Sequence, residues 1–163
     1  MQIELVRTTV EQLPLIANLY QYYAYESSDW EEEEVEPDGR FYLHEPHLVR
    51  YWQEPEWSAE LILADGFIAG FLLIERSELA GIDALEFADL FILKKYRRQG
   101  IGRLLAQQVL NRGGTWLVRL YPQDEPAMAF WRSMQAELPL GSRQVWPDGD
   151  PELVSYLINP PLH

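Results

Sequence analysis

The chain has 163 residues, a formal net charge of −13, and side chains that are 47% apolar and 13% aromatic, with no cysteine. Length and apolar content are enough for one domain, 1–163, that buries roughly two-thirds of its unfolded surface, which excludes a disordered polypeptide. The acidity speaks against nucleic acid, whose binding needs Lys and Arg at phosphates; without cysteine there are no disulfides or thiolate metal sites, and a reducing cytoplasm is expected.

No apolar run reaches the ~18 residues of a membrane span, and no signal peptide is expected. The charge is segregated. Residues 1–93 carry twenty acidic and four basic side chains, whereas 94–163 carry six acidic and nine basic. Such a division suits a chain that holds an anion with its second part and a cationic partner with its first.

In chain order, Ile3 to Thr8 alternates as an opening strand. Thr9 or Gln12 caps a helix that tolerates Pro14 in its first turn, with Leu13, Ile16, Ala17, Tyr20 and Tyr23 on one face. Tyr20, Tyr22, Tyr23 and Tyr25 are too dense for one buried stripe, so either some rings line a cleft or the helix packs on both sides. Eight acidic residues and no basic one lie between Glu26 and Asp38, which predicts a solvated loop, or one that attracts a polycationic acceptor. Leu48, Val49, Tyr51 and Trp52 predict a short second helix closed by Pro55.

Ser58 to Ala64 and Phe67 to Ile74 read as strands joined by the hairpin turn Asp65-Gly66. A central strand follows from Leu85 to Leu93, then a basic turn and a helix stopped by Gly113-Gly114. Thr115 to Tyr121 is the next strand. The last predicted helix has Pro126 in its first turn and Ala127, Phe130, Trp131 and Met134 facing inward. Strands at Arg143 to Trp146 and Leu153 to Ile158, around the turn 147–151, complete a mixed α/β chain of order β-α-α-β-β-β-α-β-α-β-β.

The turn after the central strand carries the chemistry. Lys94, Lys95, Arg97 and Arg98 precede Gly100-Ile101-Gly102, and the helix starts there. Glycines allow close backbone approach, and the first helical amides lack internal acceptors, so a helix start of this kind binds phosphate. Flanking arginines add charge-assisted bonds. A Walker loop is excluded because Arg103 follows Gly102, and a dinucleotide fingerprint because Leu105 stands where its third glycine belongs. The three histidines, His44, His47 and His163, show no metal-ligand spacing and read as surface or helix-end residues, so no metal is expected. No G-x-S-x-G and no cysteine offers a nucleophile for covalent acyl transfer.

The pattern Arg97-x-x-Gly100-x-Gly102, with its strand before and amphipathic helix after, resembles the coenzyme A signature Q/R-x-x-G-x-G/A of the GNAT superfamily of N-acyltransferases. The element order is similar over nearly the whole chain. A second motif of that family, N-x-x-A-x-x-F-Y, is met by Asp124, Ala127, Phe130 and Trp131, two positions matching and two not.

The resemblance implies a GNAT-like mixed α/β fold and direct transfer of an acetyl group from acetyl-CoA to an amine, on a small cationic acceptor or a protein. It implies cofactor contacts at Arg97, Arg98, Gln99, Gly100, Ile101, Gly102 and Arg103, at Leu90, Phe91, Ile92 and Leu93 on the central strand, and at Asp124, Phe130 and Trp131. Homodimers are common in that family. Glu86, fourteen residues before Gly100, stands at the offset of the catalytic glutamate of the histone-acetylating members and is the candidate base. Strict alternation would place it beside Ala88, Leu90 and Ile92, an apolar wall that raises a carboxyl pKa. Asp89 is the alternative base if a bulge turns it inward. Because Trp131 replaces the tyrosine that many members use as general acid, Tyr121 is the candidate replacement. The alternative function is an acyl-CoA-binding domain without catalysis, docking a basic partner on its acidic segment.

Overall fold

A computed structural model describes residues 1–137, 141–147 and 152–159; the predicted turn 147–151 lies mostly outside them, and His163 entirely. The strands are β1 (Ile3–Arg7), β2 (Ser58–Ala64), β3 (Phe67–Arg76), β4 (Leu85–Ile92), β5 (Trp116–Leu120), β6 (Ser142–Val145) and β7 (Val154–Ile158). The helices are α1 (Leu13–Glu31), α2 (Glu45–Leu48), α3 (Arg50–Gln53), α4 (Ile101–Leu110) and α5 (Glu125–Glu137). The strands form one mixed sheet in the order β1-β2-β3-β4-β5-β7-β6.

The sequence signals explain most boundaries. The β2–β3 hairpin turns at Asp65 (φ 49°) and Gly66 (φ 83°), the pair of positive φ values that a two-residue turn matched to the strand twist requires. Before α1, the Gln12 side chain accepts the Thr9 amide at 3.0 Å, and Pro14 sits where its missing N–H costs nothing. One face of the sheet packs Leu72, Ile74, Phe87, Trp116 and Val118 against α4 and α5 through Ala106, Val109, Leu110, Trp131 and Met134. The other packs Leu61, Phe71, Leu73 and Phe91 against Ile16 and Leu19 of α1 and against Leu48, Tyr51 and Trp57. Each large apolar side chain so buried contributes about 1.5–3 kcal/mol.

Three expectations are corrected. The acidic run does not begin as a loop: α1 continues through Glu31, with the Ser27 hydroxyl donating to Glu31 at 2.7 Å, because its inward stripe of Tyr20, Tyr23 and Ser27 extends past Glu26. The second predicted helix is two single turns, α2 and α3, meeting at Val49. On β4, strict alternation fails. Ile74 pairs with Phe87 and Leu73 with Asp89, so Ala88 is an extra residue opposite no partner. A bulge of this kind reverses the facing of everything beyond it. Glu86 therefore shares its face with Asp89 and Phe91, on the α1 side, and not with Leu90 and Ile92.

Candidate active site

Parallel pairing between β4 and β5 covers only Leu85, Glu86 and Phe87 against Trp116, Leu117 and Val118. Beyond Phe87 the two strands part. The Leu93 amide donates to Ala69 of β3 at 2.7 Å, and backbone groups alternate along a ladder. The amides of Leu90 and Ile92 consequently face the gap. The Ile92 carbonyl also points there and accepts Arg97 Nε at 2.7 Å.

Two concavities flank this gap. A cleft of about 450 Å³ runs between α1, the end of β4 and the starts of α4 and α5, bordered by Leu90, Phe91, Ile92, Gly102, Asp124 and Phe130 among others. A cavity of about 640 Å³ lies on the α1–α3 side and is walled by tyrosines 20, 23, 42, 51 and 121 together with Glu31, Glu75, Glu86 and Asp89. Both volumes suit small-molecule sites.

The cleft ends at the start of α4. Gly100 holds φ 79° as the residue preceding the helix, and its carbonyl accepts Leu104 N–H at 3.0 Å. The amides of Ile101, Gly102 and Arg103 are thus the unpaired donors at the positive end of a helix dipole. A side chain at Gly102 would bring its Cβ to 3.3 Å from the Phe130 ring, so glycine there keeps the helix start against the cleft wall.

The side chains around this start are not all used as expected. Arg97 makes a paired interaction with Glu26 of α1, its Nη2 lying 2.6 Å from Glu26 Oε2, and so fastens α1 to the end of β4. Arg103 turns away to Glu137, and to Ser133 at 2.7 Å, on α5. Ile101 is buried with Leu105 and Ile62, while Arg98 and Gln99 are exposed beside Gly100. Leu93 packs into the α1-side core. Asp124 borders the cleft and caps α5, accepting Ala127 N–H at 3.2 Å, and burial pushes its carboxyl up. Trp131 lies away from the cleft, 5% exposed, with its ring 5.0 Å from Phe87. One step along the helix, Phe130 is the residue that reaches the cleft wall.

In the cavity, Glu86 is buried and accepts a hydrogen bond from Arg119 Nε at 3.0 Å. Asp89, brought onto the same face by the bulge, has its carboxyl pushed up to about 8. Burial is the main cause; the neighbouring Tyr23 hydroxyl pulls the other way, and the charges of Glu75, Glu86 and Glu31 push it further up. Glu75 accepts a hydrogen bond from the Tyr51 hydroxyl and lies 3.6 Å from His47 Nε2. Tyr121 is 43% exposed, with its ring 5.2 Å from Trp30.

Sequence reasoning missed Glu75, Arg119 and the two histidines at the cavity, because they arrive there from β3, β5 and the α2 region by sheet pairing and helix packing. The tyrosine run did carry a signal. Tyr20 and Tyr23 line the cavity, whereas Tyr22 and Tyr25 are exposed at 59% and 72%.

A seven-stranded mixed sheet opening between two parallel strands, with a glycine-started helix behind the gap, defines an acyl-CoA N-acyltransferase fold. The chain belongs to the acetyltransferase (GNAT) family, whose model matches residues 19–135. Among solved structures it is similar to an acetyltransferase from Thermus thermophilus (TM-score 0.68, 19% identity, covering 96% of each chain). It is also similar to the PaiA N-acetyltransferase of Thermoplasma acidophilum in complex with coenzyme A (0.62, 16%, covering 97% of this chain and 99% of that one). A third is an aminoglycoside acetyltransferase from an uncultured soil metagenomic sample (0.56, 18%, covering 82% and 91%). No curated protein sequence matches. Among the described residues no helix is long and apolar enough to cross a membrane.

Proposed function

We propose that this protein is an acetyl-CoA-dependent N-acetyltransferase for a primary amine on a small cationic acceptor. The observation that carries the reading is the juxtaposition of a cleft ending at unpaired helix amides with a carboxylate- and tyrosine-lined cavity across the β4–β5 gap. The cleft fits acyl-CoA: the α4 amides suit a pyrophosphate, Gly102 permits close approach, and the Leu90 and Ile92 amides offer donors to a pantetheine amide or thioester oxygen. Bound there, acetyl-CoA would supply the activated acyl group.

The protein's own task is to deliver a neutral amine to that group. For an alkylammonium of pKa near 10.4, deprotonation at pH 7 costs about 4–5 kcal/mol. Asp89, its carboxyl pushed up to about 8, has the raised proton affinity that this task needs and faces the cavity beside Glu86. In this reading Asp89 takes the proton, while Glu86 with Arg119 holds the floor of the cavity. The carboxylates of Glu31, Glu75 and Glu86 in the cavity wall favour a cation, in line with the aminoglycoside acetyltransferase among the structural neighbours. The test is acetylation of polyamines, aminoglycosides, amino acids and peptide N-termini by the purified protein. Turnover is expected on the polycationic amines. If coenzyme A neither raises the melting temperature nor supports any transfer, the reading is lost.

A further inference from the structure

With Trp131 in the core, the leaving sulfur lacks the proton donor that an α5 tyrosine would supply. We propose that Tyr23 fills this role as a proton relay, its hydroxyl carrying a proton from the acceptor cavity to the donor cleft. The inference rests on the acetyltransferase reading and goes beyond it by naming a catalytic residue on α1. Among the described residues bordering the two concavities, Tyr23 is the one common to both. Tyr121 borders the cavity alone.

The Tyr23 ring is held in place. It stands edge-on to Phe91 at 5.6 Å and to Phe71 at 6.5 Å, and leans on Tyr20 at 5.5 Å, so the ring is fixed in the wall of the cavity that Asp89 also lines. The β4 bulge is what puts Asp89 there. The charge of Asp89 and burial raise the Tyr23 pKa, so the phenol stays neutral and can give up its proton only as it receives another.

Other groups facing the pair are Tyr20 and Glu31 from α1, Tyr42 and His44 from the segment before α2, His47 and Tyr51 from α2 and α3, Glu75 from β3, Glu86 from β4, and Arg119 and Tyr121 from β5 and its end. Asp124 acts on Tyr23 from the start of α5.

Protons balance across the cycle. The Asp89 carboxylate takes one proton from the incoming ammonium. As the amine nitrogen bonds to the acyl carbon and the carbon–sulfur bond breaks, Tyr23 Oη–H gives its proton to the departing thiolate and Oη is reprotonated by the Asp89 carboxyl. The regenerated carboxylate then accepts the second nitrogen proton and releases it to water. One amine proton ends on sulfur and one in solvent.

Tyr23→Phe tests this while keeping the ring packing. It is expected to lower kcat on the order of a hundredfold, with KM for the amine and calorimetric affinity for coenzyme A unchanged. Tyr22→Phe, on the exposed side of α1, is expected to leave kcat as in the parent. In NMR titration of the Asp89 carboxyl without coenzyme A, Tyr23→Phe should move the Asp89 midpoint upward, because the Tyr23 hydroxyl favours the ionised form. A kcat within about threefold of the parent, well short of general acid–base magnitudes, overturns the relay. So does a fall in coenzyme A affinity that accounts for the whole loss of kcat/KM. If the parent protein transfers acetyl to no amine, the acetyltransferase reading itself has failed; an unmoved Asp89 midpoint overturns the Tyr23–Asp89 pairing independently of turnover.

Discussion

The cleft and the cavity share a wall but are built by different means. The cleft rests on backbone: helix amides after Gly100, strand amides at Leu90 and Ile92, and a glycine at 102 packed on Phe130. The cavity rests on side chains that come from α1, α2, α3, β3, β4 and β5. Backbone donors are presented by every sequence that folds this way, and so suit a ligand common to the family. Side chains can change without disturbing the sheet, and so suit the choice of acceptor in the proposed function. The contrast extends to charge, since two arginines near the cleft are paired with carboxylates, Arg97 with Glu26 and Arg103 with Glu137.

The largest effect that would break this comparison is at Asp89. Asp89→Asn is expected to lower kcat/KM by about two to four orders of magnitude while leaving coenzyme A affinity unchanged, and to remove the limb of the pH–rate profile that rises through about 8. Loss of cofactor affinity instead would mean that the two sites are not separable. Next is Gly100→Glu, which forces a side chain onto φ 79° and sets a carboxylate at the phosphate end. Calorimetry should show coenzyme A affinity falling about tenfold or more, equivalent to 1.4 kcal/mol per decade, with the acceptor cavity unaffected.

Stability sharpens the contrast between neighbouring residues. Trp131→Ala should cost about 3–5 kcal/mol in denaturant unfolding, as a core cavity does, whereas Phe130→Ala should show mainly in coenzyme A affinity.

Asp89 also links stability to pH. Its folded carboxyl titrates at about 8, against 3.8 for the ordinary group. Between those values the native state holds a proton that the unfolded state has released. Its contribution is complete below pH 3.8 and is lost as pH rises through about 8. Melting curves should therefore show Asp89→Asn more stable than the parent at about pH 8, the gap closing toward about pH 4.

The smallest change is expected at the end of α1, where Glu32 adopts φ 56° with Glu31, Glu33 and Glu34 crowding the negative end of the dipole. Glu32→Gly should raise the melting temperature by about 2–4 °C, the equivalent of roughly 1 kcal/mol; no change would mean that the left-handed turn is not strained.

How far the sequence could be read differs between the two regions in the same way. The Gly100-x-Gly102 turn, the flanking strand and helix and the Asp65-Gly66 hairpin are local features, each set by residues within a few positions of one another. Alternation within β4 was also local, and there it misled, because a bulge is fixed by pairing with β3 and leaves no mark in a single strand. That one extra residue at Ala88 moved Asp89 onto the face of Glu86. Similarly, the pairing of Arg97 and Arg103 could not be read locally, because their partners, Glu26 and Glu137, lie 71 and 34 residues away.

The sequence by itself determined the element order, the glycine-started helix and the separation of acidic from basic halves, since propensity, periodicity and charge act over short stretches. Only the tertiary structure decided which carboxylates meet, which arginines are already engaged, and that Tyr23 stands between the two sites. Those depend on strand register and on where β4 and β5 part, and both are settled by the packing of residues far apart in the chain.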